Sequence, residues 1–170
     1  MPLTNTVTKK MKPRYYVNSF IVLLLIILPA TARAIADCTV SADNVVFGNY
    51  SFLDSSTREI TGNIQVSCSL IGLISILVGY EIILSPGNSG NHAARTMTSG
   101  VNQLQYNLFT DPLYLNVWGD GNAGTLTVAD GYLLGLLTTV RNYPVYGMIP
   151  VGQNISTGIY SDTIMITVNY

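Results

Sequence analysis

The chain has 170 residues, with eight Lys and Arg against nine Asp and Glu, one histidine and two cysteines. A formal net charge of −1 with only 10% charged residues argues against nucleic acid or an anionic membrane surface as a partner. Gly, Ser, Thr, Asn, Tyr, Val and Ile are plentiful, the composition of an extracellular all-β protein.

Residues 1–36 read as a secretory signal peptide. Lys9, Lys10, Lys12 and Arg14 form a basic start, and Val17–Leu28 is an apolar run interrupted only by Asn18 and Ser19. Pro29 ends it, and Ala32-Arg33-Ala34 and Ala34-Ile35-Ala36 both fit a small-x-small cleavage site. The run is too short for a comfortable membrane span, which disfavours an uncleaved anchor. Asp37 stands before Cys38 where a lipoprotein signal wants a small residue. Residues 37–170 then form the exported domain, about 134 residues and one core. The lysines leave with the leader, so Arg58, Arg95 and Arg141 face nine acids, a net charge of −6. Export carries Cys38 and Cys68 into an oxidising compartment, where an intramolecular bridge is expected. It would close a loop of about 31 residues worth about 3–4 kcal/mol. Two free buried thiols or an intermolecular bridge are the alternatives.

No segment has a sustained 3.6-residue apolar period with caps, and strand signals recur about every ten residues. Cys38–Val40 and Val45–Tyr50 read as short strands, and Leu53–Arg58 as a loop. Glu59–Ser69 alternates, with Ile60, Gly62, Ile64, Val66 and Cys68 on the inward face. Leu70–Leu84 is long for one strand, and Gly72 and Gly79 are expected to mark bends or bulges. Ser85–Gly100 is a turn-rich connection holding His92 and Arg95. Leu104–Trp118 reads as two strands broken at Asp111-Pro112, followed by a tight turn at Gly119, Asp120 and Gly121 with a hairpin signal. Thr125–Asp130, Tyr132–Val140 and Pro144–Ile149 read as strands, with Arg141-Asn142-Tyr143 between the last two. Gly158–Tyr170 reads as one strand running to the last residue, with Tyr160, Asp162, Ile164, Ile166, Val168 and Tyr170 on its more apolar face. Either its own sheet pairs it on both sides, or it offers an open edge to another chain. Seven or eight strands in this length favour an antiparallel sandwich.

Catalysis finds little support. A Ser-His-Asp arrangement would need His92, which has no nucleophile elbow near it and reads as a solvated loop histidine. The cysteines lack metal-ligand spacing, and Asp120 reads as a turn residue rather than a calcium ligand. No phosphate-binding glycine loop opens a helix. Asn154-Ile155-Ser156 is a glycosylation triplet that carries little weight. Of eleven tyrosines, nine follow the leader; they read as packed strand residues rather than a carbohydrate-binding face.

The order of motifs resembles the spore coat protein U domain family, which includes pilin subunits of archaic chaperone–usher pili. The resemblance rests on Cys38-Thr39-Val40-Ser41, Phe47-Gly48, Cys68, Leu84-Ser85-Pro86-Gly87-Asn88-Ser89-Gly90 and Ala94-Arg95-Thr96-Met97. It continues through Leu104–Asp111, Val117–Gly121, Val145-Tyr146-Gly147, Gly152-Gln153 and Gly158–Asp162. The resemblance implies an immunoglobulin-like antiparallel sandwich that lacks its last strand and carries one disulfide. It implies a non-enzymatic subunit of a pilus or coat, exported to the periplasm and then to the cell surface, serving adhesion or biofilm formation. A periplasmic chaperone, an outer-membrane usher and other pilus subunits are the implied partners, with no nucleic acid, small-molecule substrate, cofactor or metal. The missing strand would be donated by another molecule, with Ile164, Ile166, Val168 and Tyr170 as acceptor-groove residues. Cleavage after Ala34 or Ala36 leaves at most three residues before Cys38, short of the ten or so a donor strand needs. The chain is thus expected to accept a strand without one to give, as a terminal or tip subunit would. A self-complete secreted module, for instance a sugar-binding sandwich, is the alternative; a hydrolase using His92 is the third reading.

Overall fold

The computed structural model describes residues 36–71 and 75–170. The leader expected over 1–36 and the bend expected at Gly72 lie outside them, Ala36 excepted. The described residues form eight strands: β1 (Ala36–Ala42), β2 (Arg58–Leu70), β3 (Ile76–Leu84), β4 (Arg95–Ser99), β5 (Asn102–Phe109), β6 (Val128–Leu134), β7 (Thr139–Ile149) and β8 (Ile166–Asn169). They make two antiparallel sheets, ordered β1-β2-β7-β5-β4 and β6-β3-β8.

Alternation along β2, β3, β5 and β7 explains the layers. Ile64, Val66 and Cys68 point inward from β2, and Val78, Tyr80, Ile82 and Leu84 from β3. Leu104, Tyr106 and Leu108 from β5, with Val145 and Ile149 from β7, complete the facing side. Trp118 is wholly buried at the centre, and its indole N–H donates to Ile82 O at 3.0 Å. Tyr80, Tyr106 and Tyr132 are buried and so belong to the core rather than to a surface face. Cys38 and Cys68 are cross-strand partners in the β1–β2 ladder and are bridged.

Several sequence expectations change. Val45–Tyr50 is no strand: Val45, Phe47 and Tyr50 pack inward while Val46 is exposed, but its backbone joins no ladder. Gly79 causes no bulge, since β3 pairs with β6 in unbroken register from Ile76 to Ile82. The supposed connection Ser85–Gly100 contains β4, preceded by two short 3-10 turns at Gly87–Ser89 and His92–Ala94. Leu113–Trp118 is a loop, not a strand; Asp111 gathers the N–H groups of Leu113, Leu115 and Asn116 and so curls the chain back. The turn at Gly119–Asn122 closes no hairpin, because Trp118 and Leu126 meet in a parallel bridge. Gly121 there has a φ of +81°, the left-handed region that glycine tolerates. The strand expected over Thr125–Asp130 begins at Val128, and the one over Tyr132–Val140 stops at Leu134.

β7 runs unbroken through Arg141-Asn142-Tyr143 and Pro144. Pro144 faces Asn63 of β2, whereas β5 reaches β7 only at Tyr146, Gly147 and Met148. The missing N–H of the proline therefore falls where one side of β7 has no neighbour, the place a strand tolerates it.

Candidate assembly groove

The C-terminal segment does not form one strand. Ser161 bridges to Thr98 of β4, at the edge of the five-stranded sheet. The chain then crosses over, and only Ile166–Asn169 pairs with β3. Ser85 joins the crossing, donating its N–H to Met165 O and accepting from Met165 N–H on its hydroxyl, both at 2.9 Å. The alternation predicted for this stretch holds through Val168, with even-numbered residues half-buried and odd-numbered ones exposed. Tyr170 departs from it: it is 58% exposed and lies beyond the end of β8. Among the described residues β8 has β3 as its only ladder neighbour.

Beside this edge a cavity of about 1030 Å³ opens between two segments that, Ala42 at the end of β1 excepted, lack ladders. One wall is Ala42–Phe52 and the other is Ile155–Asp162, continued by Ile164 and Ile166. The floor comes from the core, including Ile64, Leu84, Leu104, Tyr106 and Ile149. Of the four residues expected at an acceptor groove, Ile164 and Ile166 line this cavity. Val168 instead packs against the core below it, and Tyr170 takes no part in the lining. The turn residues Gly119, Asp120 and Gly121 lie away from the lining.

A buried arginine supports the rim. Arg95 is wholly buried, and its guanidinium donates to Ser85 O, Asn107 Oδ1 and Trp118 O at 2.7–3.2 Å. No carboxylate pairs with it directly among the described residues; carbonyl and amide oxygens carry the solvation the ion loses. Burial lowers its pKa from the usual arginine value, opposed by Tyr106 and Asp162 nearby. Tyr106 Oη donates to Asp162 Oδ2 at 2.7 Å. Burial, then this bond to a carboxylate, pushes the Tyr106 hydroxyl well above the ordinary tyrosine range. Arg95 was legible only as a residue in a connecting loop. The alternation Arg95, Met97, Ser99 was the signal that could have revealed β4, but one charged residue at an inward position masks a strand.

His92 is not a solvated loop histidine. Its Nε2 donates to Leu84 O at 2.9 Å, its Nδ1 lies 3.9 Å from Asp120 Oδ1, and its own carbonyl accepts from Asn107 Nδ2. These contacts fasten the turn before β4 and engage Nε2 structurally. Among the described residues no three His, Cys, Asp or Glu stand together as a metal site would require, and no helix is long and apolar enough to cross a membrane.

Two unequal antiparallel sheets, a disulfide between the first two strands and a cavity beside the last one define an immunoglobulin-like sandwich with an open edge. The chain belongs to the Spore Coat Protein U domain family, whose model matches residues 25–167. It is similar to Protein U of Myxococcus xanthus, at 30% identity over 112 residues. That match covers 65% of this chain and 59% of the relative. Its fold is similar to a chain in the crystal structure of the CsuC–CsuE chaperone–tip adhesion subunit pre-assembly complex, from the archaic chaperone–usher Csu pili of Acinetobacter baumannii. The TM-score is 0.53 at 23% identity, with 79% of this chain and 40% of that chain covered. This chain therefore spans less than two thirds of either protein's length.

Proposed function

We propose that the protein is a non-enzymatic structural subunit of a surface pilus or coat, exported through its leader (residues 1–36) and completed by a β-strand from another molecule. The cavity beside β8 carries this reading. It joins an unpaired strand edge to an apolar floor, the two requirements for strand addition: backbone groups for affinity and pockets for alternate side chains. About four apolar donor side chains would contribute roughly 6–12 kcal/mol before ordering costs, comparable with the stability of a whole domain at about 5–15 kcal/mol. Family membership and the likeness to a chaperone-bound subunit support a periplasmic chaperone as first donor, with an usher and other pilus subunits as later partners. Ile164 and Ile166 are the acceptor residues we assign, with Val168 backing them from the core.

An adhesive role draws support from the other end of the strands. Leu77 and Leu133 are cross-strand partners on an outer face, and Leu136 and Leu137 follow in the β6–β7 connection; all four are exposed. Apolar groups so grouped on a surface mark contact sites. The few residues between the expected cleavage site and Cys38 support a terminal position in the assembly, and sequencing the exported N-terminus tests it. Finding ten or more residues before Cys38 would remove that part of the reading.

The whole proposal is tested by exporting the chain with and without a periplasmic chaperone of its system. The chaperone should raise the yield of soluble, cooperatively folding monomer several-fold. Equal yields in both hosts would make the sandwich self-complete and favour a secreted binding module instead.

A further inference from the structure

The C-terminal wall of the cavity, from Ile155 to Ile164, has one isolated bridge, Thr98–Ser161, and no other ladder. Two polar side chains hold its ends. Before it stands Gln153, whose amide behaves as a surrogate strand. Gln105 N–H donates to Gln153 Oε1 at 2.7 Å, and Gln153 Nε2 donates to Gln105 O at 2.9 Å and to Pro150 O at 3.2 Å. β7 ends at Ile149, so these bonds continue its pairing with β5 where the backbone turns away. Gln153 N–H also donates to Tyr50 Oη at 2.7 Å, which ties this wall to the opposite one.

Asp162 holds the far end. Its Oδ2 accepts from Tyr106 on the floor, and its Oδ1 accepts from Asn88 N–H in the turn after β3 at 2.8 Å. The fit is close: a Cβ on Gly87 would collide with the Asp162 carboxylate. Neither anchor is part of a regular sheet, and both touch the floor residue or its neighbour on β5, Tyr106 and Gln105.

We propose that Gln153 and Asp162 are positioning residues for strand capture, fixing both ends of the wall so that the cavity stands open before a partner strand arrives. The inference rests on the acceptor reading of the cavity. A wall with no ladder of its own would otherwise collapse onto the apolar floor, and an incoming strand would have to reopen it. Once a strand is seated, its side chains keep the walls apart and the anchors add little. The anchors therefore act on the rate of entry rather than on the rate of escape.

The test uses the exported, disulfide-intact chain and a labelled synthetic peptide of about ten residues alternating valine with threonine, a strand's length. Association and dissociation rates are measured separately. Asp162→Ala should slow association about tenfold or more. Tyr106→Phe should slow it about three- to tenfold, the range one hydrogen bond commands, and Gln153→Ala, which removes three, at least as much. Dissociation should stay within about twofold throughout. Asp162→Asn keeps one acceptor oxygen and should recover part of the loss. Tyr106→Phe removes a single hydroxyl and serves if the alanine variants do not fold. Unchanged association in these variants, or a loss confined to dissociation, would overturn the inference. No binding by the parent chain would overturn the acceptor reading itself, and this inference with it.

Discussion

β1 and β8 are both edge strands, one at each end of the domain, and they are secured by opposite means. β1 pairs with β2 over seven residues from Ala36 to Ala42 and is bridged to it through Cys38 and Cys68. β8 pairs with β3 over four, and the chain leading to it is held by side chains: Gln153, Asp162 and the Ser85 hydroxyl. Ladder bonds are local and cooperative, so a strand fixed by them needs no help. A segment fixed by a few polar contacts keeps its own backbone groups free for another chain. The stability of the domain is thus concentrated in the β1–β2–β7 half, and the strand binding we propose lies beside β8.

The strongest way to break the contrast is to remove the bridge. Cys38→Ser or Cys68→Ser should cost about 3–4 kcal/mol by the chain-entropy account, read as a fall in the urea midpoint. Binding of a strand peptide to the fraction that remains folded should change less than twofold, since the bridge lies in the ladder away from the cavity. A large loss of binding in the folded fraction would mean that the two halves are not separable in this way.

Gly147→Ala attacks the wall at Ala42–Phe52 instead. A Cβ there would lie 2.8 Å from Phe47 Cζ and 3.1 Å from Ile60 Cγ2. Phe47 has to move, an overpacking cost of about 1–3 kcal/mol, and its edge-on contact with Tyr106 at 5.8 Å goes with it. Strand binding should suffer together with stability. Ile166→Ala should cost the free chain less, about 1–2 kcal/mol, because the residue is only half-buried before a partner arrives. Its effect on strand binding should be the larger of the two. Equal small effects on both measurements would mean that Ile166 is not covered by a partner.

The same contrast explains what could be read from the residues alone. β2 declared itself because its inward positions, Ile60 to Cys68, alternate without a break and belong to a strand paired on both sides. The cysteine pairing was legible because only one partner existed. Val45–Tyr50 has a strand's alternation and no ladder: its pattern reports which side chains go inward, whereas strand formation also needs a neighbour that the described residues do not supply. β7 was cut in two at Arg141-Asn142-Tyr143 because polar residues on the exposed half of a strand look like a turn. Tyr143 is in fact fastened inward, through Tyr80 and Asp130. Within the cavity, Ile164 and Ile166 followed from periodicity. The anchors did not, since a glutamine bonding the backbone of Gln105 and an aspartate bonding Tyr106 across 56 residues leave no mark in local sequence.

The smallest effect should come from acid, and it arises where β6 meets β7, away from the cavity. Asp130 accepts from Tyr143 Oη at 2.6 Å and from Gly131 N–H at 2.7 Å, and Arg141 Nε lies 3.9 Å away. The Tyr143 bond above all, with help from Gly131 and Arg141, holds its carboxyl below the ordinary aspartate value, against a smaller opposing push from desolvation. A carboxyl depressed in the folded state stabilises the fold above its unfolded pKa of about 3.9 and loses that contribution as the pH falls through the lower folded value. Stability should therefore decline below about pH 4, and Asp130→Asn should flatten part of that decline while costing little at neutral pH. Asp111 and Asp120 are also held below the ordinary value, so their share of the acid slope should survive in that variant. Because Asp130 lies on β6, separated from β8 by β3 and outside the cavity lining, the variant should leave peptide association at pH 7 unchanged. If it slows association, the tyrosine cluster at Tyr80, Tyr132 and Tyr143 communicates with the cavity, and the division between a stable half and a binding half fails there.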